Sequence, residues 1–98
     1  MIHLDPGHLQ IVKDILKRNL ATRKVVVFGS RATGRQKTHS DLDLCVIGES
    51  PLSLQELAKL NEDFSESDLP MRVDVVDWAI TTPAFRAIIQ QSATDFLF

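Results

Sequence analysis

The alternation Asp41-Leu42-Asp43-Leu44, separated from Gly29-Ser30 by ten residues, constrains this chain more than any other stretch. On a strand, residues i and i+2 point to the same side, so both carboxylates share one face at a separation of ~6–7 Å. Like charges that close raise each other's pKa and stabilise nothing unless a cation sits between them. The pair therefore asks for a metal. Oxygen-only ligation favours Mg²⁺ or Mn²⁺, and Mg²⁺ is commonly held by one or two carboxylates together with substrate phosphates.

The residues before the pair suit such a substrate. Lys24 to Phe28 reads as a continuous apolar strand, central and buried on both faces, that delivers Gly29-Ser30 to the sheet edge. Gly29 permits a tight turn and close approach of a ligand, and Ser30 can cap a short helix or donate its hydroxyl to phosphate oxygens. Arg31, Arg35, Lys37 and His39 follow, a positive rim in an otherwise acidic chain, with Arg31 the expected phosphate contact because it adjoins Ser30. Further on, Asp74 stands between Val73 and Val75. A charge inside an apolar strand is rarely left uncompensated, so Asp74 is the expected third carboxylate of the site.

The remaining elements follow from caps and periodicity. Asp5-Pro6 predicts a helix over 6–20 with Leu9, Val12, Ile15, Leu16 and Leu20 inward. A strand over 41–47 returns antiparallel, since so short a connection favours a hairpin-like path. Ser53 and Glu56 form a capping box opening a helix that ends near 66, a strand covers 71–76, and Thr82-Pro83 starts a last helix. Cys45 reads as a small buried thiol, Asp77 as a strand terminator, and the apolar Asp95 to Phe98 segment either packs back or meets a partner. The acidic cluster Glu62, Asp63, Glu66 and Asp68 reads as solvated surface.

Ninety-eight residues suffice for one domain, 1–98, with a single core. A net charge of −2 argues against a general nucleic-acid binder, so no direct nucleic-acid partner is expected. One cysteine excludes an intrachain disulfide, and no apolar stretch has the length to span a bilayer; no membrane partner is expected and a cytoplasmic location is the default.

Taken together, Gly29-Ser30, Asp41-Leu42-Asp43 and Val73-Asp74-Val75 resemble the nucleotidyltransferase superfamily of the DNA polymerase β type. Gly-Ser-Arg-Ala-x-Gly, Ser-Asp-Leu-Asp-Leu and Val-Asp-Val-Val-Asp-Trp together look like the minimal nucleotidyltransferases, the MNT antitoxins paired with HEPN-domain toxins, over residues 8 to 93. The resemblance implies an α/β (α+β) polymerase β-like core: a short mixed sheet built around three strands, with helices mainly on one side. It also implies Mg²⁺ or Mn²⁺ on Asp41, Asp43 and Asp74, ATP as substrate held at Gly29, Ser30 and Arg31, and transfer of AMP to a tyrosine of a HEPN-domain RNase toxin in a hetero-oligomer. Asp41, Asp43 and Asp74 are then the catalytic residues. Larger relatives hold their acceptor on extra domains, so the acceptor here is expected on another protein. A non-catalytic antitoxin that masks its toxin, and a nucleotide-sensing regulatory domain, are the two readings from other classes.

Overall fold

The computed structural model describes residues 2–98. Helix α1 spans Pro6–Leu20, capped by Asp5, whose side chain accepts the Gly7 N–H, with proline in the first turn. Strand β1 (Lys24–Phe28) runs into the single-turn helix α2 (Ser30–Thr33), and the chain returns as β2 (Leu42–Ile47). Helix α3 (Leu54–Ser65) opens on a complete Ser53–Glu56 capping box. Strand β3 (Val73–Asp77), a 3₁₀ turn (Trp78–Ile80), helix α4 (Pro83–Ser92) and strand β4 (Thr94–Phe96) complete the chain. No helix among the described residues is long and apolar enough to cross a membrane.

The four strands lie in the order β3-β2-β1-β4. β1 pairs antiparallel with both β2 and β4, while β2 and β3 are parallel, so β1 alone runs opposite to the others. The hairpin-like return from β1 is thus as expected, and the sheet is mixed. It has four strands instead of three: Thr94, Asp95 and Phe96 pair with Val27, Val26 and Val25 along the free edge of β1. Three residues with a charge at the centre carry no strand signature of their own; the unpaired edge of β1 supplies the partner they need.

Because side chains alternate along a strand, β1 serves two cores. Val25 and Val27 join Leu42, Leu44 and Val46 of β2 against Val12, Ile15, Leu16 and Leu20 of α1 and Leu60 and Phe64 of α3. Val26 and Phe28 turn the other way, to Cys45 and to Ile89 of α4, flanked by Ile47, Val76 and Trp78. Two long helices cover the first face and a single helix covers the second. Asn19 of α1 donates to Asp63 of α3 at 2.8 Å, which clips the first layer together and removes Asp63 from the solvated acidic surface expected of it. Asp77 ends β3 as expected: buried, it accepts the Leu52 and Ala79 N–H groups, one anchoring the entry to α3 and the other capping the 3₁₀ turn.

Candidate active site

The sheet's register brings two of the three expected carboxylates, Asp43 and Asp74, side by side. Phe28, the last residue of β1, lies opposite Asp43, and Asp43 lies opposite Asp74 on β3. Directly opposed residues share a face, and Phe28 belongs to the core under α4, so Asp43 and Asp74 project to the α4 side. Asp41 sits one residue outside β2, which begins at Leu42, where the Leu42 N–H bonds the Arg72 carbonyl. Its carboxylate stands 3.8 Å from Arg72 Nε, an exposed pair worth little by itself.

Gly29 makes this arrangement possible. Its φ of 74° belongs to the left-handed half of backbone space, and a Cβ there would come within 2.6 Å of Asp43 Oδ2. A side chain at 29 and a carboxylate at 43 compete for one space. The Gly29 N–H donates to Ser92 Oγ at 2.9 Å, so the end of α4 holds the turn in place. The Gly29 carbonyl accepts the Ala32 and Thr33 N–H groups, and the left-handed Gly34 closes α2.

Arg31 is placed against expectation. It is only 6% exposed, its Nε donating to the Ser40 carbonyl and its Nη1 to the His3 carbonyl. The guanidinium braces the N-terminal segment and the loop before β2 from beneath, instead of reaching out beside Ser30. Adjacency in sequence misled here because successive residues of a helical turn point about 100° apart. Arg35 instead faces outward: it is exposed and lines an open cleft of about 520 Å³ with Phe28, Gly29, Ser30, Thr33, Ile88 and Ser92. Ser92 carries no sequence signal for such a place; it lies 63 residues from Gly29 and comes to the cleft only because α4 crosses the sheet.

Burial first, then the charges of Asp74 and Asp41, hold the Asp43 carboxyl above its ordinary value, with Arg72 offsetting part of the effect. None of the described residues donates a hydrogen bond to the Asp43 or Asp74 carboxylate. Among the described residues, no three His, Cys, Asp or Glu side chains already stand in a closed ligand cage. The donor set nonetheless fits a hard divalent cation: all oxygen, mutually repelling and uncommitted, with Asp41 needing only to turn from an exposed arginine. An open cage suits an ion whose remaining ligands are phosphate oxygens and water.

Cys45, on the same strand face, takes no part. It is fully buried, and burial followed by the Asp77 charge pushes its thiol up to about 11, so it stays protonated and unreactive. Lys37 and His39 are exposed on the loop beyond Arg35.

The chain is similar to several known proteins. The family described as "Polymerase beta, Nucleotidyltransferase" matches residues 10–95. The chain is 51% identical over 83 residues to the "Probable protein adenylyltransferase MntA" of Haemophilus influenzae, covering 85% of this chain and 73% of that one. Among solved structures, a toxin–antitoxin complex with AMP-PNP superposes with a TM-score of 0.75 at 21% identity, over 91% of this chain and 72% of that one. A "putative minimal nucleotidyltransferase" superposes with a TM-score of 0.69 at 32% identity, over 94% and 96%.

Proposed function

Since the chain belongs to the polymerase β nucleotidyltransferase family, we propose that it is the antitoxin of a toxin–antitoxin pair. In this reading it neutralises its partner by moving AMP from ATP to a tyrosine hydroxyl of a HEPN-domain RNase. The observation that carries the reading is the shared face of Asp43 and Asp74, set in register at the strand end where Gly29 and Ser30 turn, in a chain half identical to a protein adenylyltransferase.

In this reading Asp41, Asp43 and Asp74 would hold Mg²⁺, which would supply charge neutralisation on the phosphates. The chain's own groups do the rest. Gly29 leaves room for the Asp43 carboxylate, and Ser30 donates its hydroxyl to the outer phosphates. Asp74 orients the acceptor hydroxyl and takes its proton. The acceptor oxygen bonds to the α-phosphorus, the bond from that phosphorus to the bridging oxygen breaks, and pyrophosphate leaves. Little further chemistry is required, since phosphoryl-type transfer rests mainly on positioning and electrostatics.

Mass spectrometry of a HEPN partner after incubation with this protein, ATP and Mg²⁺ tests the reading: a gain of AMP on a tyrosine is expected. Asp74→Asn should keep partner and nucleotide binding while transfer falls by ~10² or more, the scale of lost acid–base assistance. Toxin that stays inhibited after dilution, with no covalent AMP, identifies a masking antitoxin and overturns the enzymatic reading.

A further inference from the structure

We propose that Arg35 and Ser92, neither of which belongs to the Gly-Ser or Asp-x-Asp motifs, complete the site for the outer phosphates of the donor nucleotide. The proposal rests on the nucleotidyl-transfer reading and names further residues of the same site. Both side chains line the cleft that contains Gly29 and Ser30, from two different elements: Arg35 follows the helical turn α2, and Ser92 ends α4. Each has unspent capacity toward that space. The Arg35 guanidinium is exposed and makes no hydrogen bond or ion pair with any described residue, while the neighbouring Arg31 is consumed inside the fold. Ser92 Oγ accepts the Gly29 N–H at 2.9 Å, which fixes the hydroxyl's position, and no described residue accepts its proton. A hydroxyl held by one donor and free to donate along its remaining direction suits an anionic oxygen.

The ligand chemistry follows from charge. Asp43 stands against the Gly29 turn with Asp74 beside it, and a bare phosphate is repelled there unless a cation intervenes. Arg35 lines the cleft with Gly29 and Ser30, and none of the three carboxylates is among the cleft's lining residues. Of the donor's phosphates, the outer pair carries most of the negative charge and becomes the leaving pyrophosphate. A guanidinium matches it with charge-assisted, two-pronged hydrogen bonds.

Calorimetry with Mn²⁺ present, using ATP, pyrophosphate and AMP as separate probes, tests this. Arg35→Gln should weaken ATP and pyrophosphate binding about tenfold, as loss of a charge-assisted contact does, and leave AMP binding unchanged. Arg35→Lys should recover part of the loss. Ser92→Ala should weaken the same two probes by about threefold, with Ser92→Thr restoring them, since a hydroxyl can be kept there without the serine itself. Equal losses for AMP and pyrophosphate, or unaltered pyrophosphate binding in Arg35→Gln with normal binding by the wild type, overturn the proposal alone. Wild-type protein that binds neither ATP nor pyrophosphate overturns the nucleotidyl-transfer reading and this proposal with it. Arg35→Gln that binds both probes normally but transfers poorly to its partner assigns Arg35 to the acceptor, and also overturns it.

Discussion

On the side of the sheet covered by α1 and α3, every inward residue of β1 and β2 meets an aliphatic or aromatic partner, and Leu16, Leu42, Leu44 and Leu60 are sealed from solvent. On the α4 side, one helix crosses the sheet and seals only its middle, where Val26, Cys45 and Ile89 pack. The strand ends on that side stay open, and there Asp43 and Asp74 stand next to each other with no donor of their own. Phe28 and Phe85, edge-to-face at 6.0 Å, mark the border between the sealed part and the open part. The first face exists to hold the sheet together; the second keeps a charged, under-satisfied patch at the cost of stability.

Cutting into the closed face should have the largest effect. Leu16→Ala leaves a cavity among α1, α3 and the sheet and should cost ~2–5 kcal/mol, measured by urea denaturation. Activity per folded molecule should be retained, because the Asp43 and Asp74 side chains leave the sheet on the other face. A variant that stays fully stable would mean the layer collapses around the gap and is looser than its packing implies.

Next comes the border. Gly29→Ala forces a side chain into left-handed backbone at a cost of ~1–3 kcal/mol and drives against Asp43 Oδ2. Its destabilisation should be milder than that of Leu16→Ala while its transfer activity is lost, the reverse ranking of the two readouts. If both variants lose activity only in proportion to folded protein, the two faces do not divide the labour as described.

The smallest stability change, and the only gain, belongs to the open face. Asp43 binds its proton more tightly in the folded state than in the unfolded chain, so its charge costs stability at neutral pH. That cost vanishes once pH falls below the unfolded carboxylate value and grows as pH rises through the folded one. Asp43→Asn should therefore melt above the wild type in chelator at neutral pH, with the advantage disappearing in acid. Added Mg²⁺ should raise the melting temperature of the wild type and not of the variant. A lower melting temperature for Asp43→Asn at neutral pH would mean that the carboxylate is already compensated within the fold.

Much of this was legible in the chain itself where a local rule governs. Asp5-Pro6, Ser53 with Glu56, and Thr82-Pro83 announced three helix starts because capping needs only the residues within a turn. Unbroken apolar character marked β1 as a two-faced central strand; the two-residue period assigned Asp41 and Asp43 to one side, but β2 begins only at Leu42 and leaves Asp41 beside Arg72. What depends on which strand lies beside which was not legible. The opposition of Asp43 and Asp74 needs the parallel register of β2 and β3; β4 needs the free edge of β1. The burial of Arg31 needs the carbonyls of His3 and Ser40, and the latch on Gly29 needs Ser92 carried across the sheet by α4. Local sequence determined the elements and the kinds of chemistry they carry, because caps and periodicity act over a few residues. Tertiary structure alone decided which charged groups are spent inside and which face the cleft, because that depends on contacts between segments far apart in the chain.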